Sequence, residues 1–382
     1  MPFVIPIFIP HQGCPQQCLF CNQHSITGER ESPKDMAAQV PVIIREWLAR
    51  SRNSSPVQVA FFGGSFTCLP QSRQEELLAA VKPFLRPPGR DAQVIQSQLG
   101  AELNSVPQVT KNSGIDEERP PGMDADQSMD ADIEARVDCI RLSTRPDCVD
   151  HATCSFLRSH GVRIVEMGVQ SLDDRVLQAS RRGHTADDCR RAASLLREAG
   201  MEVGIQLMPG LPLETTASFL RTVREAAALA PSFVRLYPAL VVEHSGLAAM
   251  YRRSEYRPLS MNRAIALSCR AKAIFEAAAI RVVRMGLQPS PSLERDLVAG
   301  PYHPAFGELV AARIWFNKIR SLLAGCPVGR RLTVRVSHRD LSVVIGMKRS
   351  NMARLERLGL RQRLEIVTDS TLPRGTLEYA VN

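Results

Sequence analysis

Residues 11–23 read HQGCPQQCLFCNQ and place three cysteines, Cys14, Cys18 and Cys21, within eight positions at the spacing C-x3-C-x2-C. The other seven cysteines stand singly among apolar or helical neighbours, which is typical of small buried hydrophobic residues. The chain starts with no basic segment and no small-residue cleavage site, so we expect a cytoplasmic protein with reduced thiols. Three clustered thiols in such a protein indicate a metal site.

The rest of the chain repeats a pattern in which a short apolar run is followed by a helical segment. The runs are FVIPIFI, VQVAFFGGSF, DCIRLST, RIVEMGVQS, EVGIQLMPG, FVRLYPALVV and RVVRMGLQ. Continuous apolar strands that alternate with helices indicate a parallel sheet covered by helices. Six or seven such units predict an α/β fold, a partial or full (βα) barrel of parallel strands, with an open sheet as the alternative.

Short polar and glycine-rich segments follow the ends of the predicted strands. HQGCPQQC follows the first run, GGS the second, STRPD the third, GVQS the fourth and MPGLP the fifth. In barrels of parallel strands the functional groups collect at the carboxyl ends of the strands. We therefore expect one site at this edge, built from five strand ends.

The clustered cysteines could hold zinc or an iron–sulfur cluster, because thiolates bind soft metals. Structural zinc needs four ligands and no second cysteine pair lies nearby, although His11 or His24 could supply the fourth. Three thiolates on a four-iron cluster leave one iron open to a substrate or cofactor. The ligand count therefore favours the cluster and leaves zinc as the alternative.

CPQQCLFC, with the aromatic residue Phe20 directly before the third cysteine, resembles the signature of the radical S-adenosylmethionine (SAM) superfamily. The resemblance implies that Cys14, Cys18 and Cys21 hold a 4Fe-4S cluster. Its open iron would bind SAM, and reduction would cleave SAM to a 5′-deoxyadenosyl radical. FFGGSF resembles the second superfamily motif, in which the main chain near the two glycines meets the methionine amino group, and the alternative is a plain β-turn. The glycines are Gly63 and Gly64.

Four further words narrow the resemblance. LSTRPD, EMGVQSLDDRVLQASRRGHT, LMPGLP and RLYPALVV are similar to words of the radical SAM domain in the Elongator catalytic subunit and its bacterial relatives. They are more distantly similar to oxygen-independent coproporphyrinogen oxidase. The similarity covers roughly residues 5–320 and implies SAM contacts from Ser143, Gln170, Arg182 and Gln206. Arg182 could instead be a solvated helix charge, and Gln206 a polar plug in the barrel.

The resemblance to Elongator is incomplete in two respects. The cysteine spacing differs, and we expect no acetyltransferase domain, because no comparable segment is present in the sequence. The acetyl-coenzyme A-dependent reaction on wobble uridine is therefore not expected from the resemblance.

Composition divides the chain into three parts. We expect residues 1–240 to form the barrel, 241–325 a helical extension and 326–382 a small basic α+β tail. Residues 86–135 are rich in Asp, Gln, Ser, Gly and Pro, which predicts a mobile surface insertion in the barrel. It is acidic, since residues 90–138 hold eleven acidic and four basic side chains.

The tail is strongly basic, with ten arginines and lysines against two acids between residues 330 and 363. Its pattern predicts a strand, a turn at Gly346, a basic amphipathic helix and a second strand. VVIGMKRSNMARL resembles the KH module, whose GxxG loop clamps a nucleic-acid backbone, although arginine replaces the second glycine. A basic face can release counterions from a phosphate chain, whereas a solvated helix is the alternative. The predicted nucleic-acid contacts are Lys348, Arg349, Arg354, Arg357 and Arg361.

These observations predict a radical SAM enzyme that abstracts hydrogen from a substrate, with an RNA or tRNA base as the favoured class. The expected partners are SAM and a reductant such as flavodoxin or ferredoxin. No membrane is expected, because no run of about 18 apolar residues occurs. Two alternatives are a non-catalytic binder resembling the heme chaperone related to coproporphyrinogen oxidase, and a zinc-stabilised RNA-binding protein.

Overall fold

The structure, a computed structural model, describes residues 2–9, 12–15, 17–22, 35–50, 55–87 and 136–382. Its strands are β1 (Phe3–Phe8), β2 (Val57–Phe62), β3 (Cys139–Thr144), β4 (Val162–Gln170), β5 (Glu202–Leu207), β6 (Phe233–Leu236), β7 (Val241–Val242), β8 (Arg281–Met285), β9 (Leu297–Ala299), β10 (Leu332–Ser337), β11 (Leu364–Asp369) and β12 (Leu377–Val381). Its α-helices are α1 (Met36–Arg50), α2 (Gln71–Val81), α3 (His151–Ser159), α4 (Asp174–Ala179), α5 (Ala186–Glu198), α6 (Thr216–Ala228), α7 (Gly246–Arg252), α8 (Met261–Ala277), α9 (Pro291–Asp296), α10 (Phe306–Gly325), α11 (Leu341–Ile345) and α12 (Ser350–Arg357).

The main sheet has seven strands in the hydrogen-bonded order β1-β2-β3-β4-β5-β6-β8, and the strands are parallel. Neighbours in this sheet are mostly consecutive in sequence, as expected when a helix connects each strand to the next. The chain divides into two compact units. The first unit comprises Met1–Pro15, Glu29–Gly168 and Asp187–Gly204, and the second comprises Gln16–Gly28, Val169–Ala186 and Ile205–Asn382.

The core of the first unit forms because its strands are apolar on both faces. β1 and β2 pair in parallel register from Phe3↔Val57 to Phe8↔Phe62, and Ile5, Ile7, Val59 and Phe61 are fully buried. Helix α1 buries one face, whose residues recur every four positions: Met36, Val40, Ile44 and Leu48. This alternation of buried strand and one-sided helix is the pattern that the sequence predicts.

Two cysteines that we expected to be reduced are joined in the structure. Cys68 and Cys148 form a disulfide that links the short 3-10 turns following β2 and β3. The expectation was wrong for this pair because the two residues lie 80 positions apart, and the sequence shows no sign of their proximity. The other five singly placed cysteines form no disulfide and are buried, as expected.

Replacing Cys68 or Cys148 by Ser should lower the free energy of unfolding by about 3 kcal/mol, because the disulfide restricts a long loop in the unfolded chain. Urea unfolding of the single and double variants measures the loss. All three should lose the same amount, since each removes the same link. Alkylation of both thiols in native protein without prior reduction would contradict the disulfide.

In the second unit, both main-chain groups of Gly210, in the loop after β5, form hydrogen bonds to side chains. Gly210 N donates to Glu214 Oε2 over 2.7 Å, and Tyr256 Oη donates to Gly210 O over 2.6 Å. Burial raises the pKa of the Glu214 carboxyl to about 8, although the Gly210 N–H opposes the shift. The carboxyl of Glu214 is therefore protonated over most of the neutral pH range.

Glu214→Gln should remove a pH dependence from the stability of the protein. An exposed glutamate releases its proton near pH 4.5, whereas folded Glu214 keeps its proton up to about pH 8. The unfolded state thus binds fewer protons in this window, and wild-type stability falls as pH rises, by up to about 1.4 kcal/mol per pH unit. Denaturant unfolding at pH 5, 6.5 and 8 should show the free energy of unfolding of the variant rising relative to that of wild type as pH increases. A difference in free energy that is the same at all three pH values would contradict the raised pKa.

The remainder of the second unit contains the helical extension and the tail. The run FVRLYPALVV forms two strands, β6 and β7, because Pro238 between them cannot donate to a ladder. In the tail, β10 pairs in parallel with β11 and antiparallel with β12. Trp315 and Phe316 of α10 lie in the hydrophobic core of this small sheet. Among the described helices, none is long and apolar enough to cross a bilayer.

Candidate functional site

In the first unit, the chain leaving β1 packs directly against the turn that follows β2. Ser65 N donates to Gln12 O over 3.0 Å, and Cys14 Sγ lies 3.4 Å from Ser65 Oγ. A Cβ at Gly13 would lie 2.3 Å from Ser65 O, and a Cβ at Gly64 would lie 2.4 Å from Gln12 O. Both positions therefore require glycine, and their close contact fixes where the first clustered cysteine leaves the sheet.

This contact gives Gly64 a packing role that the sequence did not show. The space of its missing side chain is taken by the carbonyl oxygens of Ile9 and Gln12. Gly63 has φ +88°, in the left-handed region that favours glycine. Contact of either glycine with SAM stays a prediction.

Gly13→Ala should lower the free energy of unfolding by roughly 3 kcal/mol, because it adds a main-chain clash to a φ of +71°. Gly325→Ala is the matched control, since a Cβ at that helical position meets nothing within 4 Å. The control should be neutral or stabilising by up to about 1 kcal/mol. Thermal and urea unfolding measure both, and equal stabilities would contradict the close approach.

The ends of β2 and β3 are tied together beyond the disulfide. Thr67 Oγ1 lies 2.5 Å from Thr144 Oγ1, and Thr67 N donates to the same oxygen over 3.3 Å. Arg145 is 2% exposed and forms a two-pronged contact with Asp147. Ser143, a predicted SAM contact, is half-buried on β3 beside these groups. The STRPD word thus builds a rigid strand end.

A buried ion pair lies further down the same strands. Arg141 Nε of β3 donates to Glu166 Oε1 of β4, and Arg141 Nη1 donates to Gln58 Oε1 of β2 over 3.5 Å. The three residues are at most 8% exposed. Sequence reasoning missed this group, although a lone charge inside an apolar strand is its signal. Removing one partner would leave a buried charge uncompensated, which is strongly destabilising.

In the second unit, the middle of the cysteine cluster meets an arginine. Arg182 Nη1 donates to Cys18 Sγ over 3.1 Å, and its guanidinium carbon lies 6.0 Å from the ring centroid of Phe20. Arg182 is 8% exposed, so it is not a solvated helix charge. Leu19 N donates to Ser180 O over 3.1 Å, which holds the loop beside the segment that carries Arg182. A guanidinium at this sulfur suits the anionic sulfur of a metal-bound cysteine.

The last cysteine belongs to a tight turn. Cys21 N donates to Cys18 O over 3.1 Å, and Leu247 N donates to Leu19 O over 2.7 Å. A Cβ at Gly246 would lie 3.1 Å from Leu19 Cα, so helix α7 can begin this close to the loop only with glycine. Within the described ranges, no group of three or more His, Cys, Asp or Glu side chains is arranged to hold a metal ion. His11 and His24, the alternative zinc ligands, lie outside those ranges.

Gln170 ends β4 with φ 66° and is 4% exposed. Its Oε1 has no hydrogen-bond partner among the described residues, whereas its main-chain oxygen accepts from Met208 N over 2.9 Å. A buried acceptor left alone costs about 1–3 kcal/mol, so a donor from a ligand would be stabilising there. Gln206, the other predicted amide contact, is half-buried on β5.

A cavity of about 690 Å³, lined mainly by residues with polar side chains, opens on the second unit beside the cysteine loop. His184, which sequence reasoning missed, is 5% exposed, and its Nε2 lies 3.3 Å from Val169 O. Its signal was the GHT word that follows the arginine pair. A cavity of this size suits a cofactor or a substrate group. The lining residues are Gln17, Asp174, Gln178, Arg181, Gly183, His184 and Thr185.

Comparison with protein families gives two matches. The profile of the radical SAM superfamily matches residues 8–226, which is more than half of the chain. The profile of the radical SAM C-terminal domain matches residues 231–315.

Curated relatives match only in part. The tRNA uridine(34) acetyltransferase of Methanocaldococcus jannaschii is 32% identical over 151 residues, which are 39% of this chain and 28% of that protein. Elongator complex protein 3 of Mus musculus is 31% identical over 138 residues, 35% of this chain and 25% of that protein. The chain thus matches between a quarter and a third of the length of these relatives.

A solved structure of Methanocaldococcus infernus Elp3, with its N-terminal residues 1–46 deleted, is similar to this fold. The TM-score is 0.55 at 19% identity, and the match covers 83% of this chain and 63% of that one. The predicted fold class is confirmed: a partial (βα) barrel of parallel strands with a helical C-terminal extension and a small basic α+β tail.

Proposed function

Because this chain belongs to the radical SAM superfamily, we propose that it cleaves SAM reductively on a 4Fe-4S cluster and abstracts hydrogen from an RNA base, with tRNA as the preferred substrate. The observation that carries the proposal is the placement of Arg182 against Cys18 within the C-x3-C-x2-C motif. The radical chemistry, the substrate and the partners are parts of the proposal.

Cys14, Cys18 and Cys21 would hold the cluster, and the chemistry of their surroundings fits it. Sulfur is the ligand atom that iron–sulfur clusters use, and the Cys18–Cys21 turn brings two of the three onto one short segment. When bound, the cluster and SAM supply an electron and a 5′-deoxyadenosyl radical that removes hydrogen from the substrate.

The side chains of the protein position and shield this chemistry. Arg182 donates to the Cys18 sulfur and would balance the charge of a metal-bound thiolate there, and the Ser65 hydroxyl contacts the Cys14 sulfur. Cys18 and Phe20 lie in an apolar cluster that excludes water and includes Leu211, Leu247 and Tyr256. Hydrogen bonds to cluster sulfurs and low exposure are the means by which a protein tunes a cluster.

The residues proposed to hold SAM are those that the family resemblance implies. They are Gly63, Gly64, Ser143, Gln170, Arg182 and Gln206. Gln170 is the best supported of these residues, because its buried Oε1 accepts no hydrogen bond from the described chain. An amino or hydroxyl group of SAM could donate to it.

RNA is supported as the substrate by the names of the relatives and by charge. The archaeal relative is named for uridine 34 of tRNA. This chain carries a formal net charge of +9, which favours a polyanionic partner. Acetyl transfer is not carried over, because the match covers only 28% of that relative. A small reductant such as flavodoxin or ferredoxin would supply the electron.

Cys18→Ser should reduce iron incorporation to background and abolish 5′-deoxyadenosine formation in protein reconstituted anaerobically with iron and sulfide. Cys269→Ser is the matched control, because Cys269 is similarly buried and its burial raises the pKa of the thiol to about 11. The control should keep wild-type iron and activity. Iron content is measured together with deoxyadenosine released after adding SAM and dithionite.

Unmodified tRNA should raise deoxyadenosine formation at least tenfold over the uncoupled rate, because the substrate supplies the hydrogen atom. A tRNA already modified by the same enzyme should not do so. Wild-type protein with a full cluster that makes no deoxyadenosine, with or without tRNA, would contradict the catalytic proposal and leave the non-catalytic binder.

A further inference from the structure

A second cavity, of about 480 Å³, lies on the basic C-terminal tail. Its apolar part is formed by Leu341 and Ile345 of α11 and Ile366 of β11, all half-buried. Arginines stand along it, and we call the whole cavity the tail groove. The three arginines that line the tail groove are Arg331, Arg349 and Arg361.

The turn between α11 and α12 forms one wall of the tail groove and has an unusual backbone. Gly346, Lys348 and Arg349 all have positive φ, at 79°, 50° and 61°. Only glycine adopts this region freely, so the lysine and the arginine are held there at a cost of the order of 1 kcal/mol each. Both side chains are exposed. The turn thus holds two adjacent cations at the groove, ahead of helix α12.

The arginines of the tail groove are available to a ligand. None of the three forms an ion pair within the part of the chain that the structure describes, and Arg361 donates only to the main-chain oxygen of Leu364. Arg335, by contrast, is paired with Asp369 and Glu378. The carboxylate that lines the tail groove, Glu365, already accepts from Thr333 Oγ1 over 2.9 Å.

The five basic residues predicted from the sequence separate into two groups. Arg349 and Arg361 line the tail groove, and Lys348 lies in the turn beside it. Arg354 does not line it, and its guanidinium lies 4.5 Å from the centroid of the Phe316 ring. Burial is the largest cause that lowers the pKa of Arg354. Arg357 is exposed and is not a lining residue of the groove.

We propose that the tail groove binds a single-stranded segment of RNA, with phosphates on the arginines and bases against the aliphatic floor. The groove combines a cationic rim with an apolar floor. An unpaired nucleotide complements both, because its phosphate is anionic and the face of its base is apolar. Paired bases have their faces stacked and could not reach the floor. The charge and shape of the groove favour any ligand that carries both anionic and apolar groups. The choice of RNA among such ligands rests on the proposed function.

The test measures binding of a fluorescent single-stranded RNA of ten nucleotides to full-length protein by anisotropy, without reductant, so that no turnover occurs. Arg331→Gln combined with Arg349→Gln removes two groove charges. Arg330→Gln combined with Arg339→Gln removes two exposed charges of the same tail that do not line the groove. All four side chains are exposed, so both pairs should fold, which circular dichroism and thermal unfolding check.

The groove pair should weaken binding about tenfold. It should also reduce the slope of log Kobs against log salt by about 1.4, since each phosphate contact on a single strand contributes about 0.7. The control pair should change affinity less than twofold. Equal weakening by the two pairs would overturn the tail groove as the site. Inorganic polyphosphate of equal charge binding as tightly as RNA would overturn the role of the floor.

Failure of this inference and failure of the proposed function give different results. RNA binding that depends on the tail groove, without any RNA-stimulated deoxyadenosine, would support the groove and contradict the RNA-modifying activity. RNA-stimulated deoxyadenosine that the groove pair leaves unchanged, together with unchanged RNA affinity, would overturn the groove and support the activity.

Discussion

The main-chain contact between the loop after β1 and the turn after β2 is the constraint on which the candidate site depends. Two glycines allow Gln12 O and Ser65 N to meet, and this meeting sets Cys14 beside Ser65. The contact exists because parallel neighbouring strands end at the same edge of a sheet. A side chain on either glycine would separate the two loops, so the position of Cys14, the first of the proposed cluster ligands, depends on the absence of two Cβ atoms.

Much of the fold and the family could be predicted, because the signals are local. Continuous apolar strands followed by one-sided helices are visible in any window of sequence, and the cysteine spacing with Phe20 is contained in eight residues. The radical SAM superfamily, the enzyme class and the barrel are accordingly confirmed. What could not be predicted depends on contact between distant residues. The Cys68–Cys148 disulfide and the Arg141–Glu166 pair join residues from different strand ends or strands.

The arginines show the same limit within one residue type. From the sequence, Arg182 and Arg354 could each be a solvated helix charge, yet Arg182 is buried against Cys18 while Arg354 lies over Phe316. A charge pattern reports that cations are present and does not report which of them have an internal partner. Burial decides this, and burial follows from tertiary packing. The role of each arginine therefore depends on its neighbours in the fold, which the sequence pattern does not show.

The acidic stretch predicted as an insertion, residues 86–135, lies outside the described residues except for its first two positions, and the residues on either side of it are described. Leu85 and Val137 form a parallel bridge, with hydrogen bonds of 2.9 Å from Arg86 N to Val137 O and 2.8 Å from Val137 N to Phe84 O. The two described segments that flank the stretch therefore lie side by side in the first unit. Because this bridge holds the flanking segments together, the number of residues between them can change while β2 and β3 keep their register. The energetic consequence of such a change grows only with the logarithm of loop length.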